Sequence, residues 1–243
     1  MSIRKNIPNI LTSLNLITGL LGIIAVADHQ LKIAAWLVLI AVVFDFFDGM
    51  TARILNARSD IGKQLDSLAD LVSFGVLPGM ILFELIRITS IFETGPSILL
   101  NWIPYFALFV PVCSAWRLAK FNIDERQKDS FLGLPTPANA LLFASIPLFL
   151  DSHIGLISSH WLDKGFTNMW FLAGLAIVSS FLLVSEIPLM ALKFKSLTWK
   201  ENGYQYILIA LSVILILLAG FHAYPFILFI YFLVSVAKHI LAK

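Results

Sequence analysis

The chain is dominated by apolar blocks of about 17–25 residues, the length an α-helix needs to cross a hydrocarbon core of about 30 Å. Eight such blocks can be traced, at roughly 10–27, 33–56, 62–89, 101–121, 137–151, 168–185, 204–221 and 224–240. Inside lipid only helices and closed barrels satisfy their own backbone polar groups, and blocks this long are helical. Turn chemistry separates them: Glu93-Thr94-Gly95-Pro96, the Pro135/Pro137 pair, Asn202-Gly203 and Tyr224-Pro225. The expected fold is all-α, a polytopic membrane helix bundle of about eight transmembrane helices. It forms a single integral membrane domain over residues 1–243.

Composition agrees. The chain is 59% hydrophobic and 13% charged, where soluble domains average about 45–50% and about 25%, so no separate soluble domain is expected. A formal net charge of +2 is too small to suggest nucleic-acid binding. The first block follows Arg4 and Lys5 as a secretory signal would. It is too long for one and lacks a small-residue cleavage pattern, so it is expected to remain as a span. Cys113 is the single cysteine and lies inside an apolar block, which excludes an internal disulfide. The five histidines, His29, His153, His160, His222 and His239, fall near span ends and read as interfacial residues.

The basic residues orient the bundle. With the N-terminus cytoplasmic, Arg4, Lys5, Arg53, Arg58, Lys63, Arg117, Lys120, Arg126, Lys128, Lys193, Lys195, Lys200, Lys238 and Lys243 lie inside, 14 of the 17 Lys and Arg. Lys32, Arg87 and Lys164 fall on the other side. Every loop then obeys the positive-inside rule. The reading is a multi-pass cell-membrane protein with both termini cytoplasmic.

Chemistry concentrates between the second and third blocks. There the chain reads Asp45-Phe-Phe-Asp48-Gly49-Met-Thr-Ala52-Arg53 and, after eight residues, Gly62-Lys-Gln-Leu-Asp66-Ser-Leu-Ala-Asp70. At about 100° per residue, Asp45, Asp48, Gly49, Ala52 and Arg53 share an arc of about 140°. Gly62, Asp66 and Asp70 stack at i, i+4 and i+8 on the next helix, and Ser73 continues that face. Four carboxylates therefore converge just inside the cytoplasmic edge of the membrane.

Each carboxylate placed in a span costs about 2.5–3.5 kcal/mol. Four without compensation would cost on the order of 10 kcal/mol, as much as the stability of a whole domain. Arg53 supplies one positive charge against four negatives, so bound cations are the economical answer. An all-oxygen set with no nearby His or Cys selects Mg²⁺ or Mn²⁺ over zinc. Four carboxylates can bracket two such ions about 3.5–4 Å apart, an arrangement suited to phosphoryl transfer. Gly49, Ala52 and Gly62 would leave the helix faces bare for a nucleotide, Arg53 could fork onto a phosphate, and Ser59 could donate a further hydrogen bond.

The pattern D-x2-D-G-x2-A-R-x8-G-x3-D-x3-D, from Asp45 to Asp70, resembles the signature of the CDP-alcohol phosphatidyltransferases at all eight fixed positions. A chance match is on the order of one in ten billion per start position. The resemblance implies a six-helix core with two extra C-terminal spans, a homodimer, and a single displacement on a CDP-activated lipid that releases CMP. It implies that Asp45, Asp48 and Asp66 bind metal and that Asp70 is both ligand and base. Gly49, Ala52, Arg53, Ser59 and Gly62 would line the CDP site. Spacing alone does not separate ligand from base among the four aspartates.

Two further features bear on the substrates. Asn6, Asn9, Thr12 and Asn15 form a polar stripe at steps of three along the first helix. They face the bundle interior, either as packing hydrogen bonds or as contacts to the nucleotide, with Asn9 and Thr12 the first candidates. The stretch Leu65-Asp66-Ser67-Leu68-Ala69-Asp70-Leu71-Val72-Ser73-Phe74-Gly75-Val76 resembles the phosphatidylserine synthase branch. So do Arg117-Leu-Ala-Lys120-Phe121-Asn122 and Phe131-Leu-Gly133-Leu-Pro135-Thr136-Pro137-Ala138. The branch that uses glycerol phosphate usually places Pro and Lys where this chain has Ser67 and Leu71. The substrates implied are CDP-diacylglycerol and L-serine. Arg117 is a candidate for the serine carboxylate, although the positive-inside rule also accounts for it, and Ser73 is a candidate acceptor contact. The alternatives are another small alcohol, such as glycerol 3-phosphate or inositol, or a cation-coupled transporter. Against the transporter, the aspartates gather at one hairpin rather than the midplane, and no pair of broken spans occurs in matching halves.

Overall fold

The computed structural model describes residues 3–57, 59–94, 102–123, 131–151, 165–189 and 199–219, with 223, 226, 227, 230, 231, 234 and 235. Its helices are α1 (Ile3–Ala27), α2 (Leu31–Ile54), α3 (Asp60–Asp70), α4 (Leu77–Thr94), α5 (Phe109–Ile123), α6 (Thr136–Asp151), α7 (Met169–Val184) and α8 (Trp199–Ala219). A π-helical segment, Leu71–Val76, joins α3 to α4, and a 3-10 turn, Ile103–Leu108, leads into α5. Apolar helices thus stand at the first seven expected positions, although α1 begins at Ile3, well before its expected limit. The eighth (224–240) lies largely outside the described residues, as do Arg58, Arg126, Lys128, Lys164, Lys193, Lys195, Lys238 and Lys243 of the charge pattern.

Among the described residues, four stretches are long and apolar enough to cross a membrane: Asn6–Ala27, Leu31–Ile54, Asp60–Glu93 and Ile103–Ile123. Thr136–Leu150, Met169–Val184 and Gly203–Leu218 are shorter apolar helices, and the first of these continues through Pro147. The stretch Asp60–Glu93 is the centre of the bundle. Its apolar window is 61% buried, against 28–39% for the other three. Phe74, Leu77 and Ile81 from this helix pack with Ala34, Val38 and Ala41 of α2 and with Phe143 and Ala144 of α6. Large apolar side chains such as Ile24, Trp116, Phe181 and Leu217 stand on the outside, as a lipid-facing surface requires.

Small residues set how the helices approach. α1 runs parallel to the central helix, and a Cβ at Gly19 would lie 2.4 Å from Ser73 Oγ and 3.0 Å from Ser73 Cα. One turn on, a Cβ at Gly22 would meet Leu77 side-chain carbons at 2.4 and 2.9 Å. α5 runs antiparallel to the same helix. Gly75 abuts Ser114, Gly79 abuts Pro111, and Asn122 Nδ2 donates to Ser67 Oγ at 2.8 Å. Small-residue contacts of this kind drive helix association in lipid, where burial of apolar surface supplies little.

Polar ties secure both ends. At the end remote from the α2–α3 hairpin, Glu84 is buried and accepts two bonds from Arg87, both 2.8 Å. His29, at the left-handed turn between α1 and α2 (φ 58°), approaches the same carboxylate at 2.8 Å through Nδ1. At the hairpin end, β1 (Phe131–Leu132) pairs antiparallel with β2 (Pro188–Leu189). Gly133 comes next with φ +73°, and a Cβ there would lie 2.7 Å from the Ser185 carbonyl oxygen, so only glycine fits the turn. This short pairing had no signal in the apolar pattern.

The Gly19 contact predicts an asymmetry. Gly19→Ala meets backbone and should lower stability by about 1–3 kcal/mol. Gly22→Ala meets the tip of a leucine and should cost less. Thermal unfolding of both variants in detergent measures the difference.

Candidate active site

The expected convergence of the aspartates stems from how three helices meet. α2 returns antiparallel to α1 and α3 runs parallel to it, so the α2–α3 hairpin and the start of α1 lie at the same end. One oxygen each from Asp45, Asp48 and Asp66 falls within 4.8 Å of the others. Asp70 stands one turn beyond Asp66, within electrostatic range of Asp45, Asp66 and Asp48. Among the described residues, none of the four makes a salt bridge to Lys or Arg. Their side-chain supports come from α1. Thr12, itself buried, donates from Oγ1 to Asp48 Oδ2 at 2.7 Å, and Asn15 Nδ2 donates to Asp70 Oδ1 at 3.2 Å. With the Gly49 N–H also donating to Asp48, these few neutral hydrogen bonds do not balance four carboxylates. A compact, all-oxygen set short of positive charge fits a hard divalent cation.

A cleft of about 370 Å³ opens beside these groups. Its lining includes Asn9, Thr12, Gly49, Ala52, Ser59 and Gly62, six of the seven residues expected to hold a CDP-lipid. Ser59 caps α3, its hydroxyl accepting the Gly62 N–H at 3.0 Å. A Cβ at Gly62 would lie 3.0 Å from that oxygen and 3.1 Å from Asn9 Oδ1, so the missing side chain keeps the α1–α3 corner open. Asp48 and Asp66 reach the cleft directly, while Asp45 and Asp70 are not in its lining.

Arg53, the seventh, is exposed and folds back on its own helix, donating from Nε to the Gly49 carbonyl at 2.9 Å. The structure therefore sets it outside the cleft lining. Pro8, Ala57, Asp60 and Lys63 also line the cleft, and nothing in the signature points to them. Lys63 is steadied by an Nζ bond of 2.9 Å to the Asn122 carbonyl.

The acceptor candidates separate. Ser73 is fully buried, and its hydroxyl donates to the Asn15 carbonyl at 3.0 Å. It thereby braces the residue that holds Asp70. Arg117 is 7% exposed, its Nε has no hydrogen-bond partner, and its guanidinium lies 6.0 Å from the Phe121 ring centre. The register that pairs Gly75 with Ser114 and Ser67 with Asn122 brings Arg117 alongside Asp70, within electrostatic range. Asn15 belonged to the polar stripe. Its pairing with Asp70 depends on the offset between α1 and α3, which spacing along one helix does not give.

A family model described as CDP-alcohol phosphatidyltransferase matches residues 5–182. The chain belongs to that family. The match ends within α7 and leaves α8 and the residues after it beyond the family domain. Among curated relatives, a CDP-diacylglycerol–serine O-phosphatidyltransferase of Helicobacter pylori is 34% identical, over 86% of this chain and 81% of the relative. The protein of that name from Bacillus subtilis is 39% identical, over 54% of this chain and 69% of the relative. One from Mycobacterium leprae is 35% identical over 75% of this chain, which spans little more than half, 57%, of that longer protein.

Thr12→Val removes the bond to Asp48 while keeping the side-chain volume. Loss of such a support should weaken divalent-cation binding about 10–100-fold, read from a Mn²⁺ titration followed by electron paramagnetic resonance. Unchanged affinity would remove Thr12 from the support of the site.

Proposed function

We propose that this phosphatidyltransferase makes phosphatidylserine and CMP by moving the phosphatidyl group of CDP-diacylglycerol to the hydroxyl of L-serine. The observation that carries the reading is the approach of three carboxylates to within 4.8 Å beside a cleft lined by the signature's own small residues. The names of the relatives and the branch-like residues Ser67 and Leu71 support serine as acceptor.

Asp45, Asp48, Asp66 and Asp70 would hold two Mg²⁺ or Mn²⁺ ions. Such ions supply charge neutralisation for a diphosphate and polarise its oxygens. Gly49, Ala52 and Gly62 leave room for the cytidine diphosphate against bare backbone, and Asn9 and Ser59 offer an amide and a hydroxyl to it. Arg53, released from the Gly49 carbonyl, would reach a phosphate from the rim. Asp70, held by Asn15, takes the proton of the serine hydroxyl. That oxygen forms its bond to the phosphatidyl phosphorus as the bond from phosphorus to the CMP oxygen breaks, and CMP leaves. Arg117 holds the serine carboxylate through a guanidinium already stripped of water, where a charged bond is strongest. Ser73 acts at one remove, through Asn15.

The whole chain works as one membrane catalytic domain in the cell membrane, as a homodimer, with the site and both termini on the cytoplasmic side. The distribution of 14 of 17 basic residues supports that orientation.

Purified protein in detergent, given CDP-diacylglycerol and Mg²⁺ or Mn²⁺, should release CMP with serine but not with glycerol 3-phosphate or inositol. No release with any acceptor would overturn the enzymatic reading, and release with glycerol 3-phosphate alone would remove serine. Asp70→Asn should still bind CDP-diacylglycerol but lose about 10²–10⁴-fold in turnover. Near-normal turnover would take the base role from Asp70.

A further inference from the structure

Among the described residues that line the cleft, Lys63 alone is basic, while Asp48, Asp60 and Asp66 are acidic. Among the described residues, Lys63 forms a salt bridge with none of the three. It is the fourth residue of α3, near the positive end of that helix, where its own helix dipole does not favour a cation. The side chain turns instead to α5, and Nζ donates to the Asn122 carbonyl at 2.9 Å. Asn122 is the next-to-last residue of α5, so that carbonyl has no partner within its helix. Two more bonds close a ring. Asn122 Nδ2 donates to Ser67 Oγ at 2.8 Å, and Ser67 Oγ donates to the Lys63 carbonyl at 3.2 Å. An ammonium carries three N–H groups, and the ring uses one of them.

We infer that Ser67 and Asn122 are positioning residues that hold the Lys63 ammonium at the cleft, where it binds a phosphate oxygen of a nucleoside diphosphate. This rests on the reading of the cleft as the CDP-lipid site. Lysine carries its charge on a flexible stem, and tethering the tip in advance lowers the entropic cost of gripping an anion. Every acceptor in the ring is neutral, so the positive charge is left for phosphate, where a charge-assisted bond is strong. α5 thereby acts on the nucleotide cleft without lining it.

The test uses the full chain in detergent with Mg²⁺, titrated by calorimetry with CDP and separately with cytidine, which lacks both phosphates. Lys63→Met should weaken CDP binding about 10–100-fold, the effect of one charged hydrogen bond, and leave cytidine binding in place. Lys63→Arg should recover part of the loss. Ser67→Ala should weaken CDP binding about 2–5-fold, the effect of one neutral hydrogen bond. Ser67→Thr, which keeps the hydroxyl, should bind CDP as the unsubstituted protein does. If Lys63→Met lowers only the thermal midpoint, Lys63 merely caps α5; the inference fails and the CDP-lipid reading stands. Equal loss of CDP and cytidine in Lys63→Met would trace the effect to the fold and also overturn the inference. If Ser67→Ala leaves CDP binding unchanged while Lys63→Met weakens it, the ring does not position the ammonium. No CDP binding by the unsubstituted protein would sink the CDP-lipid reading and this inference together.

Discussion

Four carboxylates inside an apolar bundle are the constraint around which this molecule is arranged. Each is costly in a low-dielectric medium, and together they approach the whole stability of a domain. The protein meets only part of that cost, with a threonine and the Gly49 N–H on Asp48 and an asparagine on Asp70. It sets no lysine or arginine in a salt bridge with them among the described residues. The uncompensated charge suits the site to hard cations. A bundle that closed this gap with its own basic residues would be more stable and would have nothing to bind.

The helix arrangement keeps the charges at one depth. A parallel pair, α1 and the central helix, lets one residue of α1 support each layer of the site in turn, Asn9 near Gly62, Thr12 at Asp48 and Asn15 at Asp70. Farther along the same interface, Gly19 and Gly22 let the backbones close. The division of labour is by depth: polar residues near the hairpin, glycines in the middle, and the Glu84–Arg87–His29 tie at the far end.

Most of the fold was legible because lipid imposes one length and one period. Seven apolar helices and the aspartate face come from apolar block length and a 100° step, and the glycines beside them foretold the open cleft. The features that escaped depend on relations between elements. Asn15 pairs with Asp70 through an interhelical offset. Arg53 finds a carbonyl on its own helix at 2.9 Å, a local competitor that a count of phosphate-binding residues ignores. Ser73 keeps its expected face but spends its hydroxyl on α1 backbone. The two-residue strand pair joins segments more than fifty positions apart and has too few residues to imprint a period of two.

The π-helical segment has a consequence for how such a chain can vary. From Leu71 to Val76 the winding is wide, and the Leu77 N–H reaches back five residues to the Val72 carbonyl. A wide turn holds one residue more than an α-turn and so resets the angular phase between α3 on one side and α4 on the other. The aspartates before it and the core-filling Leu77 and Ile81 after it therefore answer to separate phases. Loss of one residue here would rotate one half against the other by about 100°, turning either the carboxylates out of the site or the leucines out of the core. The segment works as a coupling collar, whose length sets the phase of both halves at once.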